Sequence, residues 1–176
     1  KSSGTSPSGA HGGKAIGNLK PRQHSANFRE SEKIVLNLRI FLSGSRGFLG
    51  SHFSALLDKE GLNWRGLERT AGLTWRDNPK QFSEVVSAQI DEFEPTHVIN
   101  LANHFTRGFP ASEIDNSLEA NVALPLLLAR AAEKSSARFL HAGSYWQLPF
   151  YSGKLEYQSQ YLYTKRLASR LLQNFK

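Results

Sequence analysis

The stretch RIFLSGSRGFLGSHF, Arg39 to Phe53, places glycines at 44, 47 and 50 between an apolar run and a helical one. No other feature constrains the fold as strongly. Glycine spacing alone says little, because glycine is common in loops; the context carries the argument. The run IVLNLRIFLS, Ile34 to Ser43, is apolar and rich in β-branched residues and predicts a buried strand. Beyond Gly50, Phe53, Leu56 and Leu57 recur at helical spacing, with Phe48 and Leu49 opening the run and Gly61 closing it. Strand, glycine bend and helix in that order form a cradle for a dinucleotide phosphate. Gly44 permits the sharp turn, Gly47 lets the backbone approach a pyrophosphate, and Gly50 lets the helix pack closely on the sheet. Unpaired N–H groups at the helix start would face the phosphates, with a dipole equivalent to roughly half a positive charge. The competing reading is a purely structural strand-to-helix turn in an unrelated sheet.

The remainder of the chain repeats the alternation. NWRGLERT (63–70) predicts a short strand. PKQFSEVVSAQIDEFEP (79–95) predicts a helix with Phe82, Val85, Val86, Ile90 and Phe93 on one face. THVINLAN (96–103) is almost continuously apolar, as strands covered on both faces are. A long helix is expected over 112–134, kinked or broken at Pro125. SARFLHAGS (136–144) reads as another strand. YQSQYLYTKRLASRLLQNF (157–175) reads as a last helix with Leu167, Leu171 and Phe175 in register. Four strand–helix alternations predict an α/β fold, a doubly wound parallel sheet that binds ligands beyond the carboxyl ends of its strands.

Composition narrows the class. No apolar run spans a bilayer, and the absence of cysteine excludes disulfides and thiolate metal sites. The formal charge of +7 would suit nucleic acid, but residues 1–33 carry six basic and two acidic side chains, a net +4. The excess therefore sits mainly in a segment rich in Ser, Gly, Pro and His, expected to be a disordered basic leader before a domain at 34–176. Nucleic acid and membrane are not the expected partners. His104 and His141 sit near strand ends without a second ligand at metal spacing, and read as satisfied structural histidines. No metal site is expected.

The choice of dinucleotide rests on charge. Glu68 falls about 20 residues past the bend, where an acid bonds the ribose 2′-hydroxyl of NAD. Arg69 lies beside it and Arg46 lies inside the bend; two guanidiniums suit the 2′-phosphate of NADP. NADP is expected, with NAD as the alternative. Further along, Ser144 ends a strand, and Tyr161 and Lys165 lie four apart on one helical face, so phenol and ammonium address the same point.

The segments SGSRGFLGSHF, THVINLAN, EANVALPLLLARAAE, RFLHAGSYWQ and YLYTK, in this order, resemble the extended short-chain dehydrogenase/reductases, the NAD-dependent epimerase/dehydratase family, over about residues 34–175. The resemblance implies an NAD(P)-binding Rossmann fold. It implies a cofactor loop at Gly44, Ser45, Arg46, Gly47, Phe48, Leu49 and Gly50, with Arg69 beyond it. Leu101, Ala102 and Asn103 would line the cofactor. Ser144, Tyr161, Lys165 and Asn121 would be the catalytic group, with Tyr161 and Lys165 also touching the cofactor and Asn121 supporting the lysine's proton relay. Tyr161 would exchange the proton with a carbonyl oxygen that Ser144 hydrogen-bonds.

Tyr145-Trp146 follows Ser144 where dehydratases of this family carry an acid pair, and YWQLPF departs from the epimerase pattern. The 17-residue separation of Ser144 from Tyr161 is similar to the CDP-sugar 4-ketoreductases. The implied function is a cytoplasmic NADPH-dependent reduction of a nucleotide-activated 4-keto-deoxysugar, in polysaccharide synthesis. The alternatives are an epimerase of the same family and, in another class, a dinucleotide-binding sensor without catalysis. A homodimer through helices 112–134 and 160–175 is implied as well. The family's sugar site lies largely beyond the Tyr-x-x-x-Lys helix, so the 176-residue chain is expected to bind cofactor and turn over little, with its last strand lacking an outer neighbour.

Overall fold

The computed structural model describes residues 37–145 and 159–175. The expected leader, the strand start at 34–36, the helix start at 157–158 and Trp146 lie outside the described residues.

Four strands and their helices follow in order: β1 (Arg39–Ser43), α1 (Phe48–Lys59), β2 (Asn63–Gly66), α2 (Pro79–Phe93) and β3 (His97–Asn100). Then come a 3₁₀ turn (Ala111–Glu113), α3 (Ile114–Leu118), a π-helical turn (Glu119–Ala123), α4 (Leu124–Lys134), β4 (Arg138–His141) and α5 (Gln160–Leu172). The strands form one parallel sheet in the order β2-β1-β3-β4. Ile40 pairs with Trp64 on one side and His97 on the other, and His97 pairs in turn with Arg138. The chain moves outward from β1 to β2, then returns to the far side of β1. That reversal opens a crevice above β1 and β3, the switch point of a doubly wound Rossmann sheet.

Each strand is shorter than its apolar run. β1 begins at Arg39, because its first partner is the Thr96 hydroxyl, 2.9 Å from the Arg39 N–H. At the other end the bend at Gly44, φ 78°, takes β1 out of the sheet. Leu67 N–H still reaches Leu42 O at 2.8 Å and Leu101 N–H reaches Ser43 O at 3.0 Å, and the ladders stop there for want of a neighbour. Runs 63–70 and 96–103 therefore end as strand at Gly66 and Asn100, and their last residues become loops above the sheet.

Side chains alternate along β1. Phe41 joins Val98, Phe82, Val86, Ile90, Leu124 and Leu128 in one core with α2 and α4, whereas Ile40 and Leu42, also buried, face the other way. Complete burial of Ile90 and Leu128 contributes roughly 2 kcal/mol each. α2 starts at Asn78, whose side chain accepts from Gln81 N–H at 3.0 Å, with Pro79 in the first turn. It ends at Glu94 in the left-handed region just before Pro95.

Two helices bury other faces than periodicity indicates. In α1 only Gly50 and Leu57 are buried, while Phe48, Leu49 and Leu56 are exposed among the described residues. In α5 the buried residues are Gln160, Leu162, Thr164, Lys165 and Ala168, and Leu167 and Leu171 stay exposed. Both contact faces run through a small residue, Gly50 or Ala168, that lets the helix approach closely.

The long helix does not break at Pro125. Proline has no N–H for the carbonyl four residues back, and its ring crowds that carbonyl. The chain widens instead into the π turn, where Leu124 N–H bonds Glu119 O, and resumes as α4.

Candidate active site

The carboxyl ends of the strands frame a cleft of about 630 Å³. The glycine bend forms one wall, with Gly44, Ser45, Arg46, Gly47, Phe48, Leu49 and Gly50 all lining it. Leu101, Ala102 and Asn103 line it from β3, and Arg69 with Glu68 from β2. Phe105, Glu119, Ala120 and Leu124 close the far side.

The glycines have steric causes. A Cβ on Gly44 would stand 2.5 Å from Ala102 N, so the loops after β1 and β3 touch only because that Cβ is absent. A Cβ on Gly50 would stand 1.9 Å from Gly44 O. Gly47 donates its own N–H to Gly44 O at 2.9 Å and caps α1 with no side-chain bond. No acidic residue occupies the first turn of α1. The helix thus presents its first N–H groups to the cleft without a protein anion before them, which suits a diphosphate. Phe48 and Leu49, exposed yet cleft-lining, supply apolar surface for a bound ring or ribose. The residues fit a nicotinamide dinucleotide.

Charges at the far end are balanced. Gln89 pins the backbone of Glu68, its Oε1 accepting from Glu68 N–H at 2.9 Å and its amide donating to Glu68 O at 3.0 Å. Arg69 donates to Glu119 Oε1 at 2.5 Å, and Trp75 N–H donates to Glu119 Oε2 at 2.9 Å.

The remaining candidates do not line this cleft. Tyr161, half-buried, meets its wall edge-on through Phe105, ring centroids 5.2 Å apart. Lys165 is buried, its Nζ donating to Ala142 O at 2.6 Å and lying 3.3 Å from His141 Nε2. Burial pulls this ammonium down to about 8. Ser144 is half-buried, three residues beyond the end of β4.

A line of polar groups crosses the strand ends beneath. Ser43 Oγ donates to Asn100 Oδ1, which also accepts Ala102 N–H at 3.2 Å. The Asn100 amide then faces His141 Nδ1 at 2.9 Å, leaving Nε2 of the neutral ring as the protonated nitrogen. Burial first, and then the Lys165 charge, hold His141 down to about 4. His104 bonds Glu113 at 2.8 Å. Both histidines thus have structural partners.

Asn121, fully buried in the π turn, accepts His104 N–H at 2.7 Å and donates to His104 O at 2.9 Å and Thr164 Oγ1 at 3.0 Å. It ties the loop after β3 to α5, through Thr164 and not through Lys165. Sequence reasoning passed over Asn100, Glu119 and Thr164. Only Asn100 left a signal, an amide at the end of an apolar strand.

Fold and cleft together define a dinucleotide-binding α/β domain. Residues 40–176 match the model of the NAD dependent epimerase/dehydratase family, and the chain belongs to that family. No curated protein matches it. Among solved structures it is similar to a UDP-rhamnose synthase of Acanthamoeba polyphaga mimivirus, at 19% identity and TM-score 0.61, over 78% of this chain and 52% of that one. A UDP-glucose 4-epimerase of Thermus thermophilus in complex with NAD matches at 24% identity and TM-score 0.57, over 77% and 50% of the two chains. A dTDP-4-dehydrorhamnose reductase of Bacillus anthracis str. Ames in complex with NADP matches at 15% identity and TM-score 0.61, over 78% and 50%. The chain spans about half the length of these structures.

Proposed function

We propose that this chain is the cofactor half of an NADP-dependent oxidoreductase acting on a nucleotide-activated sugar, reducing a 4-keto group. One observation carries the reading. The glycine bend, the segment Leu101–Asn103 and, through Phe105, Tyr161 share the same end of the sheet. The similar structures include enzymes named for UDP- and dTDP-sugars, which supports the substrate class. Arg46 and Arg69 favour NADP, and NAD remains the alternative.

The bound dinucleotide would supply the hydride. Tyr161 would give its proton to the carbonyl oxygen, and Ser144 would stabilise charge on that oxygen by donating a hydrogen bond. Lys165 would return a proton to the phenolate, and its buried site makes that exchange accessible near pH 8. Asn121 is a positioning residue that holds α5, and with it Tyr161, against the loop after β3. The exposed apolar residues Leu167 and Leu171 on α5 fit the implied homodimer.

In the full-length protein, Tyr161→Phe should lower turnover by at least about a hundredfold. Unchanged turnover would contradict this role of Tyr161, and a dinucleotide sensor would show no turnover and keep its function in the variant. A cofactor carrying a labelled hydride separates the two enzymatic readings: a reductase delivers the label to its product, whereas an epimerase returns to the sugar the hydride it took from it, with no net transfer from the cofactor.

A further inference from the structure

We propose that Glu119 sets the dinucleotide preference of the cleft, by opposing the pull of Arg69 on a 2′-phosphate. The inference deepens the proposed function and rests on its dinucleotide reading.

Arg69 lies three residues beyond the end of β2, where the ribose of a bound dinucleotide would sit. Its guanidinium is not uncommitted, since one of its nitrogens already donates to Glu119. The two partners differ in freedom. The Arg69 side chain is 63% exposed, on a long flexible stem, while that of Glu119 is 13% exposed. Both Glu119 oxygens are engaged, one by Arg69 and the other by the backbone of Trp75. Glu119 also stands in the π turn, whose backbone is fixed by Pro125 and by the buried Asn121. The carboxylate therefore cannot swing away when a phosphate arrives, whereas the guanidinium can.

Charge makes the consequence. Arg46, Arg69, Glu68 and Glu119 all line the cleft, two cations against two anions. A 2′-phosphate brings close to two negative charges into a half-enclosed space, where screening is weaker than in bulk water. It gains from Arg69 only against the standing claim of Glu119. A 2′-hydroxyl carries no charge and is indifferent to the contest. Removing the negative charge while keeping one carbonyl acceptor, for either Arg69 or Trp75 N–H, should therefore favour NADP selectively.

The test is Glu119→Gln in the full chain, with dissociation constants for NAD and NADP measured by titration calorimetry at low and high salt. The ratio of the NAD constant to the NADP constant should rise about three- to tenfold at low salt and less at high salt. In an Arg69→Met background the same change should move the ratio less than about twofold, because the effect runs through Arg69. An unchanged or falling ratio in Glu119→Gln overturns the inference, as does an equal rise without Arg69. A second measurement stands if Glu119→Gln fails to fold. Arg69→Met alone should cost NADP binding less than Arg46→Met does, since Glu119 already offsets Arg69; a larger cost overturns the inference. Binding of neither dinucleotide to the unaltered chain would remove the underlying reading and the inference with it. Binding of both with an unmoved ratio would remove the inference alone.

Discussion

Burial of Lys165 carries a cost. A lysine stem buries readily, but its ammonium loses water, and here it receives one carbonyl acceptor in exchange. Its folded value near 8 lies below the ordinary 10.5, so the unfolded chain binds more protons between these limits. Stability must rise with pH across that window, and the penalty is fully present below pH 8. Lys165→Met should accordingly raise stability at pH 7 by roughly 1–3 kcal/mol, the lost bond to Ala142 O keeping the gain below the full shift. The gain should fade as pH climbs from 8 towards 10.5. Denaturant melts of both chains at several pH values check this. A variant less stable than the parent at pH 7 would contradict the burial cost. A group retained at such expense is more readily explained by chemistry than by packing. Tyr161 and Lys165 were legible in sequence as a helical pair at the proper distance behind a glycine bend. The buried amide of Asn100, the orientation it imposes on His141 and the hold of Glu119 on Arg69 were not. They depend on strands 41 residues apart, or on an arginine and a glutamate separated by 50, and no local pattern registers such pairs.

At the scale of elements, the π turn organises the site. Pro125 removes one helical bond, the turn widens by one residue, and Glu119 and Asn121 take their places from it. Asn121 then joins the loop after β3 to α5. Asn121→Ala would strand His104 N–H and C=O in a buried setting and should cost roughly 2–3 kcal/mol. A midpoint shift in thermal or denaturant unfolding measures it, and a loss under about 0.5 kcal/mol would show that the clamp is dispensable. Sequence reasoning expected a kink or break at Pro125 and found the helix on either side; the π turn escaped it because the register change appears in no periodicity. The strands were legible as apolar runs, yet each ran past its observed end, because a strand ends where its neighbour's ladder ends and not where its own hydrophobic residues do. The buried faces of α1 and α5 were misread for a related reason. Periodicity rewards large apolar residues, whereas close helix–sheet contact here turns on Gly50 and Ala168.

At the scale of the whole molecule, order of elements proved the most readable property. Four strand–helix alternations leave a parallel sheet little freedom, and the switch point between β1 and β3 follows from the connections. Among the described residues, the cleft-lining candidates gather at one end of that sheet. The most direct measurement is a titration of the 176-residue chain with NADP and NAD, followed by calorimetry, for the parent and for Gly50→Ala. The account predicts one dinucleotide per chain for the parent. It predicts loss of binding in the variant, whose added methyl would stand 1.9 Å from Gly44 O and displace the bend. A folded parent chain that binds neither dinucleotide would contradict it.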